Sequence, residues 1–137
     1  MLADLPSNSI TSEIIGAAIE VHRILGPGLL ESTYMPCLEF ELTARNLRFA
    51  RQRAVPIVYK GMVLDAAYRI DLVVEDLVII EIKSVERVIP VHKAQVLTYL
   101  ALTGSAAGLL INFNVPKLID GVTRLINPRP GVPRQGR

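Results

Sequence analysis

The chain has no tryptophan, one cysteine, and only four tyrosines and three phenylalanines among its 137 residues. A lone Cys37 excludes an intramolecular disulfide and suits a reducing cytoplasm. The scarcity of aromatics leaves little surface for stacking unpaired bases. No apolar run approaches the ~18 residues that a membrane span needs. The first nine residues, Met1 to Ser9, lack the basic start and apolar stretch of a signal peptide, so the expected location is cytoplasmic. A strong excess of positive charge is missing too. The net charge is +2, but Arg129, Arg134 and Arg137 sit in a terminal stretch without an acid. The remaining body carries 12 basic against 13 acidic side chains, a balance of −1. Such a body has no general electrostatic footprint for duplex DNA.

What is present describes one domain. The length supports a single core, and 50% hydrophobic with 20% charged residues is the balance of a globular protein. Ile10, Ile14, Ala17, Ala18, Val21, Ile24 and Leu25 recur at helical spacing, with Asn8 or Ser9 as N-cap. Gly26-Pro27-Gly28 ends that helix. A second helix is expected from Leu30 to Arg45, with Tyr34, Cys37, Leu38 and Leu42 inward. Pro36 should kink it or disturb its first turn. The period then becomes two, predicting strands at 53–60, 62–67, 68–74 and 77–83 with turns at Lys60-Gly61 and Glu75-Asp76. A third helix should run from Pro90 to Leu102 before Gly104. Short strands follow at Leu109–Phe113 and Val122–Ile126. Residues 127–137, rich in Pro, Gly and Arg, are expected to be disordered. The fold class is α/β: a mixed sheet flanked by helices.

The segment from Asp71 to Lys83 breaks a local rule. Val73, Val74, Leu77, Val78, Ile79, Ile80 and Ile82 belong in a core, yet Asp71, Glu81 and Lys83 stand among them. Charges there are costly to desolvate unless they are paired or bind a metal. Alternation puts Glu81 and Lys83 on one face, and a hairpin centred near Asp76 brings Asp71 opposite Glu81. Two close carboxylates repel unless a cation intervenes, and both are oxygen ligands of the kind Mg²⁺ accepts. Alone, this pattern also describes a strand end with an exposed ion pair.

Two further groups bear on the choice. His92, Gln95 and Tyr99 share one face of the third helix, where an amide and a phenol could orient water and substrate. Gly28, Glu31 and Tyr34 open the second helix, and Glu31 can point into a neighbouring cleft. Each has a plainer reading: a polar helix face, and a first-turn acid favoured by the helix dipole. Arg45, Arg48, Arg51 and Arg53 read as solvated surface rather than a phosphate track. Cys37 lies on an apolar stripe and reads as core. His22 and His92 lack zinc-ligand spacing; His22 reads as a surface or cleft residue.

Gly28, Glu31 and Tyr34 match the signature of the GxxExxY proteins. From residue 10 to 126 the chain resembles this family of the PD-(D/E)XK nuclease superfamily, whose fold is restriction endonuclease-like. The resemblance implies a metal-dependent nuclease hydrolysing phosphodiester bonds, with DNA as partner and Mg²⁺ or Mn²⁺ as cofactor. It implies that Asp71, Glu81 and the Ile82 carbonyl bind the metal, with Glu31 touching the metal or its water. Lys83 would position the attacking water, and Gln95 and Tyr99 would support the phosphate or the lysine, as in the Q-x-x-x-Y element of exonuclease-like members. Ile70 replaces the proline that usually precedes the aspartate. The alternatives are a non-catalytic nucleic-acid- or protein-binding module on the same fold, and a hydrolase of small phosphorylated molecules. Cutting both strands of a duplex needs two such centres, which would call for a homodimer.

Overall fold

The computed structural model describes residues 6–134, with side chains described at all of these except 6 and 65–67. The elements are α1 (Pro6–Leu25), α2 (Glu31–Ala44), β1 (Phe49–Tyr59), β2 (Met62–Val74), β3 (Val78–Lys83), α3 (Pro90–Thr103), β4 (Ala107–Asn112) and β5 (Val122–Ile126). The five strands form one sheet in sequence order. All neighbours are antiparallel except β3 and β4, which run parallel because α3 carries the chain back between them. No described helix is long and apolar enough to cross a membrane.

Each face of the sheet is covered by helix. Leu72, Val74, Val78, Ile80, Ile82, Leu109 and Ile111 pack with Ile14, Ala17, Ala18 and Val21 of α1 and Tyr34, Leu38 and Leu42 of α2. On the opposite face, Val55, Ile70, Val73, Ile79 and Leu110 meet Val96, Tyr99, Leu100 and Leu102 of α3. Helix α3 can lie this close because β4 carries Gly108. A Cβ there would stand 2.6 Å from Val96 Cγ1, closer than atoms pack.

Several expectations need correction. Asn8 and Ser9 do not cap α1, which already begins at Pro6; the Asn8 carbonyl instead accepts from Thr11 Oγ1 at 2.9 Å. Ile24 is 62% exposed, since helical rotation carries it to the border of the apolar stripe. Helix α2 runs unbroken through Pro36, and its first turn is tightened, the Leu30 carbonyl accepting from both Thr33 N and Tyr34 N. Strand β1 starts four residues earlier than expected, at Phe49, because the arginines that hid its alternation decorate an edge strand, where charge is common. The expected strands 62–67 and 68–74 are one strand, β2. What interrupts the pattern is a register shift: Val55 pairs with Tyr68 but Ile57 with Leu64, so four residues of β2 are spanned against two of β1.

The segment after β5 is not free. Asn127 is buried, and its Nδ2 donates to the carbonyls of Leu100 and Ser105 at 3.0 and 2.8 Å. Gly131 N and Arg134 N donate to the Gly104 and Ala101 carbonyls, each at 2.7 Å. These bonds fasten residues 127–134 to the end of α3, so the disorder expected from residue 127 does not begin there. Residues 135–137 lie outside the described part.

Candidate active site

The β2–β3 turn sets the register on which the site depends. Glu75 and Asp76 both adopt positive φ, +52° and +54°, and Leu77 N donates to the Val74 carbonyl at 3.0 Å. The hairpin loop is the three residues Glu75 to Leu77, and both of its left-handed positions are occupied without glycine. Arg48 holds it from the side: its backbone N–H and guanidinium both bond the Glu75 carboxylate, lowering that group's pKa. Val74 then pairs with Val78, Val73 with Ile79 and Leu72 with Ile80. One step further, Asp71 comes opposite Glu81.

At that step the regular sheet gives way. Ile70 packs on the α3 side, Leu72 on the α1/α2 side and Val73 on the α3 side again, so simple alternation fails around Asp71. Gln52, which falls opposite Asp71 in the β1 register, takes the left-handed φ of +49°. Side-chain bonds occupy the gap: Asp71 Oδ2 accepts from Ile82 N at 2.8 Å, and Glu81 Oε1 accepts from Asp71 N at 3.3 Å. The two carboxylates are thereby locked together where β2 leaves β3.

Glu81 is only 4% exposed. Burial and the adjoining Asp71 charge push its pKa from the ordinary 4.5 up to about 9, while the Lys83 charge pulls the other way. Lys83 is half-buried on the same face. Across the groove, Gln95 Nε2 donates to Tyr99 Oη at 3.2 Å. Burial raises the Tyr99 pKa, and the Glu81 and Asp71 charges add to that, placing the phenol within electrostatic reach of both acids. His92 lines the groove shared by Lys83, Gln95 and Tyr99. Its Nδ1 accepts from Ile89 N at 3.1 Å, closing the first turn of α3, so in the neutral ring Nε2 carries the proton.

Glu31 reaches the centre from the other helix layer. It is the first residue of α2 and lines a cleft of about 520 Å³ together with Asp71 and Ile82. The spacing Gly28, Glu31, Tyr34 now has a physical content. Gly28 takes φ +95°, which a residue with a Cβ adopts only under strain. Tyr34 is fully buried, stacks on Phe113 with centroids 4.4 Å apart, and its hydroxyl donates to the Gly26 carbonyl at 2.6 Å while accepting from Leu29 N at 3.2 Å. Ser84 Oγ donates to the Leu29 carbonyl, tying this loop to the residue after Lys83. Glu31 is thus presented by a clamped turn.

Some functional neighbours were not foreseen. Ser84 carries no local signal in the sequence. Buried Asn112 holds the loop after β3, its Oδ1 accepting from Val85 N and its Nδ2 donating to the Val85 carbonyl. Glu39, buried in the cleft wall, accepts from Arg51 at 2.9 Å, while its second oxygen has no partner. Its place in α2, one residue after Leu38, was the available hint. His22 is a buried tie rather than a surface group, with Nε2 2.7 Å from the Val115 carbonyl. Arg45, Arg48, Arg51 and Arg53 pair with Glu13, Glu75, Glu39 and Asp76.

A buried Glu81 joined to a part-buried Asp71, with a lysine at the mouth of a parting hairpin, is an arrangement that can be compared with known proteins. The model of the PD-(D/E)XK nuclease superfamily matches residues 8–125. The chain belongs to this superfamily. Neither the curated proteins nor the solved structures gave a match. The matched span takes in Glu31, Asp71, Glu81, Lys83, Gln95 and Tyr99, and the α/β sheet with its flanking helices is consistent with the restriction endonuclease-like fold.

PD-(D/E)XK nucleases commonly use divalent cations, and the donor set here can be tested against one. Among the described residues no three His, Cys, Asp or Glu side chains gather into a single ligand group. Asp71 and Glu81 come together, whereas Glu31 shares the cleft with Asp71 without closing a three-carboxylate cage. That composition fits Mg²⁺, which is held by one or two carboxylates and keeps its other positions for water and substrate. The mutual repulsion that lifts Glu81 is also what a cation would relieve.

Proposed function

We propose that this protein is a metal-dependent nuclease that hydrolyses phosphodiester bonds in DNA. The observation that carries this reading is the pairing of Asp71 with Glu81 at the point where β2 and β3 part, with Lys83 on the next outward position of β3. Asp71, Glu81 and the Ile82 carbonyl would hold Mg²⁺ or Mn²⁺, with Glu31 reaching the ion or a water on it. Bound there, the ion supplies charge compensation for the phosphoryl oxygens in an in-line displacement.

The rest is done by the chain. Lys83 holds the attacking water and offsets negative charge that builds on the phosphate. Glu31, fixed by the Gly28–Tyr34 clamp, accepts a hydrogen bond from water on the α2 side of the cleft. Gln95 and Tyr99 stay hydrogen-bonded to each other, and the phenol keeps its proton because burial and two acids raise its pKa. It is therefore available as a donor to phosphate or as a support for Lys83.

The test is cleavage of labelled single- and double-stranded DNA with Mg²⁺ or Mn²⁺ by the parent and by Lys83→Ala. Metal-dependent cleavage that Lys83→Ala lowers about 10²- to 10³-fold is expected. Absence of cleavage, together with no cation binding sensitive to Asp71→Ala, would leave a non-catalytic module on the nuclease fold.

A further inference from the structure

We infer that the groove between the β1–β2 hairpin and α3 takes an unpaired nucleobase of the substrate strand, stacked on Tyr68, so that this protein acts on single-stranded or frayed nucleic acid. The inference rests on the nuclease reading and names its substrate class. The groove encloses about 670 Å³ and opens beside the reaction centre, because Lys83, Gln95 and Tyr99 line it as well. Its remaining wall is largely apolar, with Leu64, Tyr68 and Val91 44%, 49% and 62% exposed. Unpartnered apolar surface that runs into a phosphate-handling centre suits a base face, since every base offers one whatever its sequence.

Charge argues in the same direction. Duplex binding draws its affinity from rows of cations on phosphates. Here Arg45, Arg48, Arg51 and Arg53, the one local concentration of arginine, are each engaged by a carboxylate. The body is close to neutral. Although the chain is poor in aromatic residues, two of its four tyrosines stand in this one groove. An A- or B-form duplex buries its base faces and cannot use them; a separated strand can.

The experiment is fluorescence anisotropy of labelled oligonucleotides with the full chain carrying Lys83→Ala, in Mg²⁺ at fixed salt. Single-stranded DNA, single-stranded RNA and the DNA duplex of the same sequence are the three arms. Tighter binding of either single strand than of the duplex is expected. Tyr68→Ala should weaken single-strand binding roughly 5- to 150-fold, the range for losing one stacked base, with Tyr68→Phe within about twofold. Val91→Glu, at an exposed groove position, provides a second variant that leaves the core alone. Duplex binding equal to or tighter than single-strand binding would overturn the inference, as would unchanged affinity in both Tyr68→Ala and Val91→Glu. So would a homodimer that Val91→Glu dissociates, which would make a second copy the occupant. Failure of the nuclease reading looks different: the parent would bind single strands through Tyr68 yet cleave nothing.

Discussion

Binding of Mg²⁺ or Mn²⁺ should release close to one proton per site at neutral pH, because Glu81 holds a proton there until a cation replaces it. With its pKa pushed up to about 9 by burial and by Asp71, the group is roughly 1% ionised at pH 7. A cation needs the carboxylate, so apparent affinity should rise about tenfold per pH unit from pH 6 toward 9 and then level off. Calorimetric titration at pH 7 in two buffers of different ionisation enthalpy reads the proton directly, and repetition across pH gives the slope. The same displacement governs stability. Without cation Glu81 holds its proton more tightly in the folded chain than in the unfolded one, so its own contribution to stability is full below pH 4.5 and is lost as pH rises toward 9. The loss is on the order of several kcal/mol, a large part of a domain's total. Glu81→Gln should remove this alkaline loss, melting higher than the parent at pH 9 without cation, while losing cation binding. Affinity independent of pH, no proton release, and equal alkaline melting of Glu81→Gln and parent would refute the reasoning.

Other outcomes follow from the same structure. Lys83→Ala should cost about 10²- to 10³-fold in single-turnover cleavage, the usual effect of removing one charge-stabilising donor, with the melting temperature little changed. Tyr34→Phe removes the hydroxyl that serves Gly26 and Leu29, and should destabilise by about 1–3 kcal/mol in chemical denaturation while lowering turnover through Glu31. Gly108→Ala places a Cβ against Val96 and should cost roughly 1–3 kcal/mol by overpacking, with a hydrogen-exchange increase focused on α3.

The acid–lysine pattern on β3 was legible because its logic is local. Period two fixes which side chains share a face, and a hairpin centred on Asp76 fixes the register that brings Asp71 to Glu81. The ends of α3 were readable for a similar reason, with Pro90 opening it and Gly104 closing it in the left-handed conformation. Longer-range features stayed hidden. Nothing near Ser84 announces that its hydroxyl will bond Leu29, 55 residues earlier. The break in alternation around Asp71 depends on Gln52 of another strand. Residues 127–134 look like a free tail by composition, yet Asn127 and two backbone amides find carbonyls at the end of α3. The arginines of β1 hid a strand because edge strands tolerate charge that interior strands do not.

The most direct measurement is a crystal structure of the Mn²⁺-soaked protein with anomalous scattering recorded at the manganese edge. An anomalous peak lying between the carboxylates of Asp71 and Glu81, with the Lys83 ammonium turned toward the same space, is the predicted result. Manganese bound only elsewhere on the molecule, with the Asp71–Glu81 pair still hydrogen-bonded to each other, would contradict it.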